Sequence, residues 1–304
     1  MSPKKSSSSG RPRKLPLFNG ILWTTGLVLI LSGILVGYFF LKGSRTPPTG
    51  PVTLFEEPKP LLERKIPTPK TVQPEKPLLP PRRPELPKIA IVIDDLGYDR
   101  EIGLGFIALD APLTLSFLPN APHSHELALL AKEKGREVLL HLPMEPYQYR
   151  QTDPGTGALL VSMDPETIRR IVKKDLSDFP FVSGANNHMG SRFTENRDKM
   201  APVFAALKEK NLFFMDSLTT SHSAGPALAR EWGVPYIQRD IFLDNDVNED
   251  YIKQQLKKLL ESAQSKGYSV GSGHPYPQAL KVLREVLPGM RQKAELVNLS
   301  QLIQ

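Results

Sequence analysis

From residue 88 onward, short apolar runs alternate with longer stretches in which apolar residues recur every three or four positions. The short runs fit buried strands, and the longer stretches fit amphipathic helices that cover a sheet. This alternation predicts a mainly parallel sheet or barrel, because parallel strands are joined by helical crossovers. Strands are predicted at 89–93, 113–118, 137–142, 181–185, 213–216, 236–238 and 269–271. Seven strands in one domain favour a distorted α/β barrel over a short open sheet.

Capping residues indicate where the intervening helices begin. Asp, Asn, Ser and Thr are favoured at helix N-caps, and proline is favoured in the first helical turn. The predicted first residues are Ser124, Asp164 followed by Pro165, Thr194 and Asn248. Each precedes a stretch with the helical spacing of apolar positions, so four crossover helices are predicted.

The first part of the chain has a different pattern. Residues 15–42 contain an apolar segment, 21–41, that is long enough for a bilayer core, which takes about 20 residues. A cleaved signal peptide is the rival interpretation, but its apolar core is usually about 7–15 residues long and ends at a small-residue cleavage site. The sequence "GYFFLKG" offers no such site. We therefore predict an uncleaved transmembrane anchor at 15–42.

Charge and proline content extend this prediction on both sides of the anchor. The basic tail 1–14 should stay in the cytoplasm, which places the remainder of the chain outside. Residues 43–87 hold 13 of the 30 prolines and are predicted to be a semi-extended, disordered linker. The folded domain is predicted at 88–304, exported to the periplasm and held at the inner membrane by a single span.

The net charge of +7 lies in the N-terminal third of the chain. Residues 1–14 carry +5 and residues 42–88 another +5, which leaves −3 for 89–304. The folded part has no positive excess, which argues against nucleic acid as a partner. The chain has no cysteine, which excludes disulfides, cysteine-ligated zinc and thiol nucleophiles.

Polar residues follow nearly every predicted strand, and in parallel α/β folds the carboxyl ends of the strands carry the site. Among these residues, Asp94, Asp95, His141, His188 and His274 can bind a metal or transfer a proton. The others are predicted to contact substrate or to partner His274, and they are Glu145, Asn187, Asp216, Asp240 and Asp244. His123, His125 and His222 start a helix or lie in a loop, and they are predicted to be more peripheral.

Two adjacent carboxylates after a buried strand repel each other unless a cation offsets the repulsion. Asp94 and Asp95 with His141 and His188 form an oxygen and nitrogen donor set that suits a divalent metal, zinc being the best fit. One aspartate can bind the metal while its neighbour accepts a proton from water. The alternative is that the two aspartates only cap the following turn.

Six segments, in order, resemble the divergent polysaccharide deacetylase family, a distant branch of the NodB-type carbohydrate esterases. They are "IAIVIDDLG", "VLLHLPMEP", "NNHMGSRFT", "FFMDSLTT", "RDIFLDN" and "GHPYP", and they span about residues 88–290. The resemblance implies a distorted, NodB-like (β/α) barrel and a metal-dependent hydrolase ancestry. It excludes the anchor and the linker.

The resemblance also implies roles for individual residues. Asp94 corresponds to the catalytic base, and Asp95 and His141 correspond to metal ligands. Glu145 stands where the family's second histidine ligand would be, so His188 is predicted to replace it. His274 corresponds to the catalytic acid, although Pro275 stands where an aspartate is expected.

Three functions remain open from the sequence. The first is a metal-dependent hydrolase that removes acetyl groups from a cell-envelope carbohydrate. The second is a non-catalytic envelope module that binds glycan or protein on the same barrel. The third is metal-dependent hydrolysis of a different bond. The intact Asp94, Asp95, His141 and His274 favour the first, whereas Glu145 and Pro275 favour the second.

Overall fold

The computed structural model describes residues 85–303, so the predicted tail, anchor and linker lie outside the described residues. The described part has nine strands and eight α-helices. The strands are β1 (Lys88–Leu96), β2 (Thr114–Phe117), β3 (Glu137–Met144), β4 (Gly184–Met189), β5 (Phe213–Asp216), β6 (Tyr236–Gln238), β7 (Ile241–Phe242), β8 (Tyr268–Gly273) and β9 (Glu295–Leu296). The helices are α1 (Arg100–Ile107), α2 (Ser124–Glu133), α3 (Pro165–Asp178), α4 (Ser191–Glu195), α5 (Arg197–Glu209), α6 (Gly225–Trp232), α7 (Glu249–Lys266) and α8 (Pro277–Met290). A 3-10 helix at Leu299–Leu302 follows.

The strands form one parallel sheet that curls into a half-barrel. Their order is β6-β5-β4-β3-β2-β1-β8-β7, and β9 pairs with the first residues of β1. The consecutive strands β6 and β7 lie at opposite edges of the sheet and do not pair with each other. The prediction of parallel strands in a curled α/β fold is confirmed, and closure into a complete barrel is not observed.

Local predictions differ from the structure in the fourth strand and in the helix caps, and helices α1, α6 and α8 and the two-residue strands β7 and β9 were not predicted from the sequence. The fourth strand begins at Gly184 rather than at residue 181, because Phe181 and Val182 pack into the apolar core ahead of the strand. The helix predicted to begin at Thr194 is two helices, since the Asn196 side chain accepts a hydrogen bond from the Lys199 N–H and caps α5 separately. The caps at Asp164 and Asn248 are confirmed. Ser124 is the first residue of α2, but it does not cap the helix, because its hydroxyl donates to the Leu118 carbonyl and His123 occupies the cap position.

Side chains alternate between the two faces of the curled sheet. On β1, Ile89, Ile91 and Ile93 join the large core beneath the helices, whereas Ala90 and Val92 point into the half-barrel. Residues at the same level on neighbouring strands join them in a smaller apolar cluster, which includes Leu139, Phe213, Met215, Ile237 and Val270. The next inward positions, two residues further along each strand, are polar. They include Asp94, Ser116, His141, Asn186 and Ser217.

The C-terminal segment closes the opposite end of the half-barrel. Val297 and Leu299 pack into the inner apolar cluster. The Leu299 N–H donates to Thr114 Oγ1 at 3.1 Å, and Thr114 in turn donates to Glu137 at 2.9 Å. With this end filled, the polar layer is accessible from the carboxyl ends of the strands.

Within residues 85–303, no helix combines the length and the apolar character that a membrane crossing requires.

Asp175 on α3 is a buried carboxylate, and its Oδ2 atom has no hydrogen-bond partner among the described residues. Burial raises its pKa to about 6. The folded state therefore bears a penalty for the charged form that is absent below about pH 4 and complete well above pH 6. We expect Asp175→Asn to raise the free energy of unfolding by about 1–3 kcal/mol at pH 8. The gain should shrink as the pH falls towards 4, which urea unfolding at several pH values can measure.

The matched control is Asp178→Asn on the same helix, since Asp178 is exposed and pairs with Lys174. We expect it to change stability by less than about 0.5 kcal/mol at either pH. An Asp175→Asn gain that does not depend on pH would contradict the assignment of the penalty to charge burial.

Candidate metal centre and acid–base site

Strand β1 carries an extra residue where it delivers its two aspartates. Its pairing with β2 is regular to Ile93, opposite Leu115, and resumes at Leu96, opposite Phe117. Asp95 takes up the extra length with a φ of 55°, a left-handed conformation that non-glycine residues rarely adopt. A bulge of this kind re-aims side chains, so consecutive residues need not point to opposite faces.

Both carboxylates consequently reach the same imidazole. His141 Nδ1 lies 3.7 Å from Asp94 Oδ1, and His141 Nε2 lies 2.9 Å from Asp95 Oδ1. His188, on the neighbouring strand β4, places Nδ1 2.6 Å from the same Asp95 oxygen. One donor atom from each of Asp95, His141 and His188 lies within 4.8 Å of the others.

This donor set fits a small divalent cation. Two imidazole nitrogens and a carboxylate oxygen are typical of catalytic zinc sites, which keep a further position open. The rings of His141 and His188 lie edge to face with centroids 5.2 Å apart, so their nitrogens converge on Asp95 rather than stack. The donor chemistry therefore supports the predicted metal site, and it does not identify the metal.

The charges of the cluster reinforce one another. Burial alone would raise the pKa of Asp95, but the hydrogen bonds and charges of His141 and His188 outweigh it and hold this pKa well below its usual range. Burial likewise acts to lower the pKa of His141, but the charge of Asp94 and the contact with Asp95 raise it overall. Without metal, the cluster thus favours a proton on His141, and a bound cation would displace that proton.

Asn186 lies on the buried side of the cluster and orients both the Asp94 carboxylate and the His141 imidazole. Its Nδ2 donates to Asp94 Oδ1 at 2.7 Å, and its Oδ1 accepts from Ser116 at 2.6 Å and lies 2.7 Å from His141 Nδ1. With Nδ1–H of His141 directed at this amide oxygen, Nε2 is the nitrogen presented to Asp95. Asn186 is absent from the predicted site residues. The inward alternation of residues 184, 186 and 188 on β4 is the signal that identifies it.

His274 faces the cluster from the other side. Its Nε2 lies 3.7 Å from Asp95 Oδ2, and its Nδ1 lies 3.0 Å from Asp244 Oδ1. The His274 N–H also donates to Asp244 Oδ2 at 2.5 Å. Burial acts against the charged form, but the hydrogen bond that the His274 ring donates to Asp244 and the charges of Asp95, Asp244 and Asp94 raise the pKa of His274 to about 9. Of the three aspartates considered as its partner, Asp244 makes the contact.

Two other predicted rim residues have carboxylates occupied by internal donors. Asp240 lies two residues after β6 and immediately before β7, and its carboxylate binds Lys266 and the Val270 N–H near the amino end of β8. Asp216 accepts from the Leu218 N–H, Ser223 and Tyr236. Both carboxylates therefore hold neighbouring loops and strands together, and neither contacts Asp95, His141 or His188.

Asn187 and Glu145 also make structural contacts beside the cluster. Asn187 points away from the half-barrel interior and accepts from the Ser217 N–H at 2.9 Å. Glu145 accepts from the Val161 N–H at 2.7 Å and pairs with Arg192 at 3.0 Å. Their predicted roles in substrate binding stay predictions. The position where the resemblance implied a second histidine is thus separate from the cluster, and His188 completes the three donors.

Arg239 is a further residue near the site that the predicted set omits. It connects β6 to β7, and its Nε donates to the Ser217 carbonyl at 2.9 Å while the guanidinium lies 4.9 Å from the centroid of the Phe242 ring. Burial lowers the pKa of Arg239, and the charges of Asp94 and Asp216 oppose this shift. The positively charged guanidinium of Arg239 thus lies on the Asp94 side of the site, where it offsets part of the negative charge of the carboxylates.

The remaining histidines lie apart from the cluster. His125 packs against the rings of Phe179 and Phe181. His222 lies in the loop after β5, with Nδ1 3.3 Å from Glu195. His123 immediately precedes α2.

Comparison with known proteins supports the family expected from the sequence. The model of the divergent polysaccharide deacetylase family matches residues 91–303. The chain is 35% identical over 216 residues to the uncharacterized protein YibQ of Escherichia coli, covering 71% of this chain and 67% of that protein. It is 32% identical over 220 residues to an uncharacterized protein of Haemophilus influenzae, covering 71% and 76%. The crystal structure of the uncharacterized protein ATU2773 of Agrobacterium tumefaciens has the same fold, with a TM-score of 0.68 at 23% identity, covering 72% of this chain and 89% of that one. The chain therefore belongs to the divergent polysaccharide deacetylase family.

Proposed function

We propose that this protein is a metal-dependent hydrolase that removes acetyl groups from an acetylated cell-envelope carbohydrate. The observation that supports this most directly is the arrangement around Asp95. Its carboxylate is shared by His141 and His188, Asp94 lies beside the same imidazole, and His274 faces it with Asp244 behind. A donor set, a base and an acid are thus within contact range of one another.

Asp95, His141 and His188 would hold the cation, with zinc the best match to the donors. When bound, such a cation supplies Lewis-acid polarisation of an acyl oxygen and makes water easier to deprotonate. The protein's own part is to fix these donors, and the hydrogen bond between His141 and Asn186 does so from the buried side.

Asp94 would act as the general base. Its carboxylate is buried, and Asn186 holds one of its oxygens at 2.7 Å. In hydrolysis of an acetamide, this carboxylate accepts the proton of the attacking water while the water oxygen bonds to the acetyl carbon. Proton transfer of this kind typically contributes about 10²–10⁴-fold to the rate.

His274 would act as the general acid. Asp244 binds its Nδ1 side, so Nε2 is the nitrogen directed towards Asp95. A proton from Nε2 would reach the departing nitrogen as the carbon–nitrogen bond breaks, which releases acetate and a free amine. Pro275 does not remove the anionic partner of His274, because Asp244 supplies it from β7.

The non-catalytic binding module is the second candidate, and one observation favours it. The two imidazoles already satisfy the Asp95 carboxylate through hydrogen bonds of 2.9 and 2.6 Å, so the cluster is stable as an ion-paired group without a cation. Under this alternative the protein would bind glycan and release no acetate.

Metal content and acetate release distinguish the two candidates. We expect the purified full-length chain to carry about one equivalent of divalent metal and to release acetate from acetylated envelope glycans. A chelator should stop the release and lower the melting temperature, and added zinc should restore both, because a bound metal stabilises the folded state. If the purified chain contains far less than one equivalent of metal and releases no acetate, the binding module is favoured.

We also propose that residues 1–14 are cytoplasmic, that 15–42 form a membrane anchor, and that 43–87 link it to a periplasmic domain. The charge asymmetry around the apolar segment 21–41 supports this orientation. A reporter enzyme that works only in the periplasm should be active when fused after Gln304. Activity of a cytoplasmic reporter alone at that position would contradict the proposal.

A further inference from the structure

Four large side chains with apolar surface stay exposed directly after strands that form the candidate site. They are Tyr98 after β1, Tyr147 after β3, Leu218 after β5 and Tyr276 after β8. These positions follow the carboxyl ends of the strands, so the four side chains belong to the rim above the polar layer. Tyrosine presents an apolar face and a polar edge, which matches a sugar ring with its C–H faces and hydroxyl edges.

Tyr147 is exposed and yet held in place. Its hydroxyl donates to Glu195, and Thr220 donates to the same carboxylate oxygen at 2.6 Å. Its backbone N–H donates to Ser191 Oγ at 3.0 Å, while 50% of the residue surface stays accessible. The ring orientation is therefore fixed before any ligand arrives, which lowers the entropic cost of stacking on it.

These contacts connect Tyr147 to the segment that follows His188. Its partner Ser191 lies three residues after His188. Thr219, which precedes its partner Thr220, donates through Oγ1 to the carbonyl of Met189 at 3.0 Å. Tyr147 thus lies on the His188 side of the centre.

Tyr276 lies on the opposite side, beside the proposed acid. It is two residues after His274, its ring centroid is 5.8 Å from that of His274, and 39% of its surface is accessible. The two tyrosines therefore flank the centre from the His188 side and from the His274 side.

The charge at the Tyr147 side restricts what can bind there. Hydrogen bonds from Thr220 and Tyr147 lower the pKa of Glu195, so this carboxylate is anionic at neutral pH. Of the basic side chains on this side, Arg192 is already paired with Glu145, and His222 places Nδ1 3.3 Å from Glu195 itself. An anionic carboxylate disfavours acidic sugars and accommodates neutral sugars or protonated amino sugars.

We infer that Tyr147, fixed by Glu195 and Thr220, is a subsite for a sugar ring adjacent to the one that loses its acetyl group, and that Tyr276 contacts the chain on the other side. The subsite accordingly accepts a neutral or amino sugar and disfavours an acidic sugar. This inference rests on the proposed function and specifies which sugars that site accepts.

Calorimetric binding of glucosamine and its β-1,4-linked tetramer tests the subsite, because these probes carry no acetyl group and cannot be turned over. The full-length, zinc-loaded chain should bind the tetramer at least about 10-fold more tightly than the monomer, since each additional aromatic contact contributes several-fold. Tyr147→Ala should lower this tetramer-to-monomer ratio by about 5–10-fold. Tyr147→Phe, which keeps the ring and loses only the hydroxyl contacts with Glu195 and Thr220, should lower it less.

Tyr268→Ala is the matched control, because Tyr268 is an exposed tyrosine at the amino end of β8, away from the rim. It should leave the ratio at the wild-type value. A tetramer of galacturonic acid should bind more weakly than the glucosamine tetramer. Equal binding of monomer and tetramer by the wild type, or a wild-type ratio in Tyr147→Ala with an unchanged melting temperature, would overturn the subsite.

Failure of the subsite and failure of the proposed function give different results. If the ratio behaves as expected but no acetate is released from any acetylated glycan, the subsite stands and the hydrolase does not. If acetate is released at rates independent of chain length and Tyr147→Ala binds like the wild type, the hydrolase stands and the subsite is wrong.

Discussion

Replacing His141 with alanine is expected to lower the affinity for a divalent cation by more than about 100-fold and to abolish turnover. Changing a group that only orients a metal ligand already costs about 10–100-fold, and His141 is itself a proposed ligand. Its Nε2 contacts Asp95 at 2.9 Å, and Asn186 fixes it from behind. Metal-to-protein ratios after dialysis against a competing chelator would measure the loss.

Two further variants make this result interpretable. His125→Ala removes a histidine that packs against Phe179 outside the cluster, and it should keep the wild-type metal content. His188→Ala removes a less buried member of the cluster and should lose metal as His141→Ala does, even if the buried substitution also lowers the melting temperature. A folded His141→Ala protein that retains stoichiometric zinc would show that the metal, if any, binds elsewhere.

The positions of Asp95, His141 and His188 at one rim could be predicted from the sequence because parallel topology brings strand ends together. Each follows an apolar run, and in a parallel sheet the ends of such runs meet at one edge. The same rule misplaced Asp240, which lies after the predicted sixth strand but precedes β7. A strand of two residues, Ile241–Phe242, has no recognisable alternation, so the sequence could not show that the chain returns to the sheet there.

The bulge at Asp94 and Asp95 could not be predicted either. Period-2 alternation would direct one of the two carboxylates to the apolar outer face, and only the pairing of β1 with β2 reveals the extra residue. Asn186 was missed although alternation from His188 along β4 places residue 186, and not 187, on the inward face. The two adjacent asparagines lie on opposite faces: Asn186 points inward to Asp94 and His141, whereas Asn187 points outward and accepts from the backbone N–H of Ser217.

The bulge also explains how two adjacent carboxylates are tolerated in a buried place. Asp94 contacts the Asn186 amide and lies on the same side as the guanidinium of Arg239, while Asp95 is shared by two imidazoles. Each carboxylate therefore has its own compensating groups, so the site can exist before a cation binds. A cation would then replace the proton on His141 rather than create the site.

Removing the proposed acid is expected to have the second large effect. His274→Ala should lower the rate of acetate release by about 10²–10⁴-fold while metal stays bound. The histidine lies 3.7 Å from Asp95 Oδ2 and is not one of the three clustered donors. Near wild-type turnover in His274→Ala would show that the ring only packs against Tyr276 and Phe242.

Asp244→Asn tests whether His274 acts through its proton. An acid works only while protonated, so the rate should fall as the pH rises through the pKa of His274, which its surroundings raise to about 9. A cation on Asp95 would neutralise one of the contributing charges and place this alkaline limb somewhat lower. Losing the Asp244 charge should move the limb down by about one unit or more. Asp240→Asn, at the other end of β7, should leave the limb in place. If Asp244→Asn lowers the rate equally at every pH, Asp244 only holds the loop and the proton comes from elsewhere.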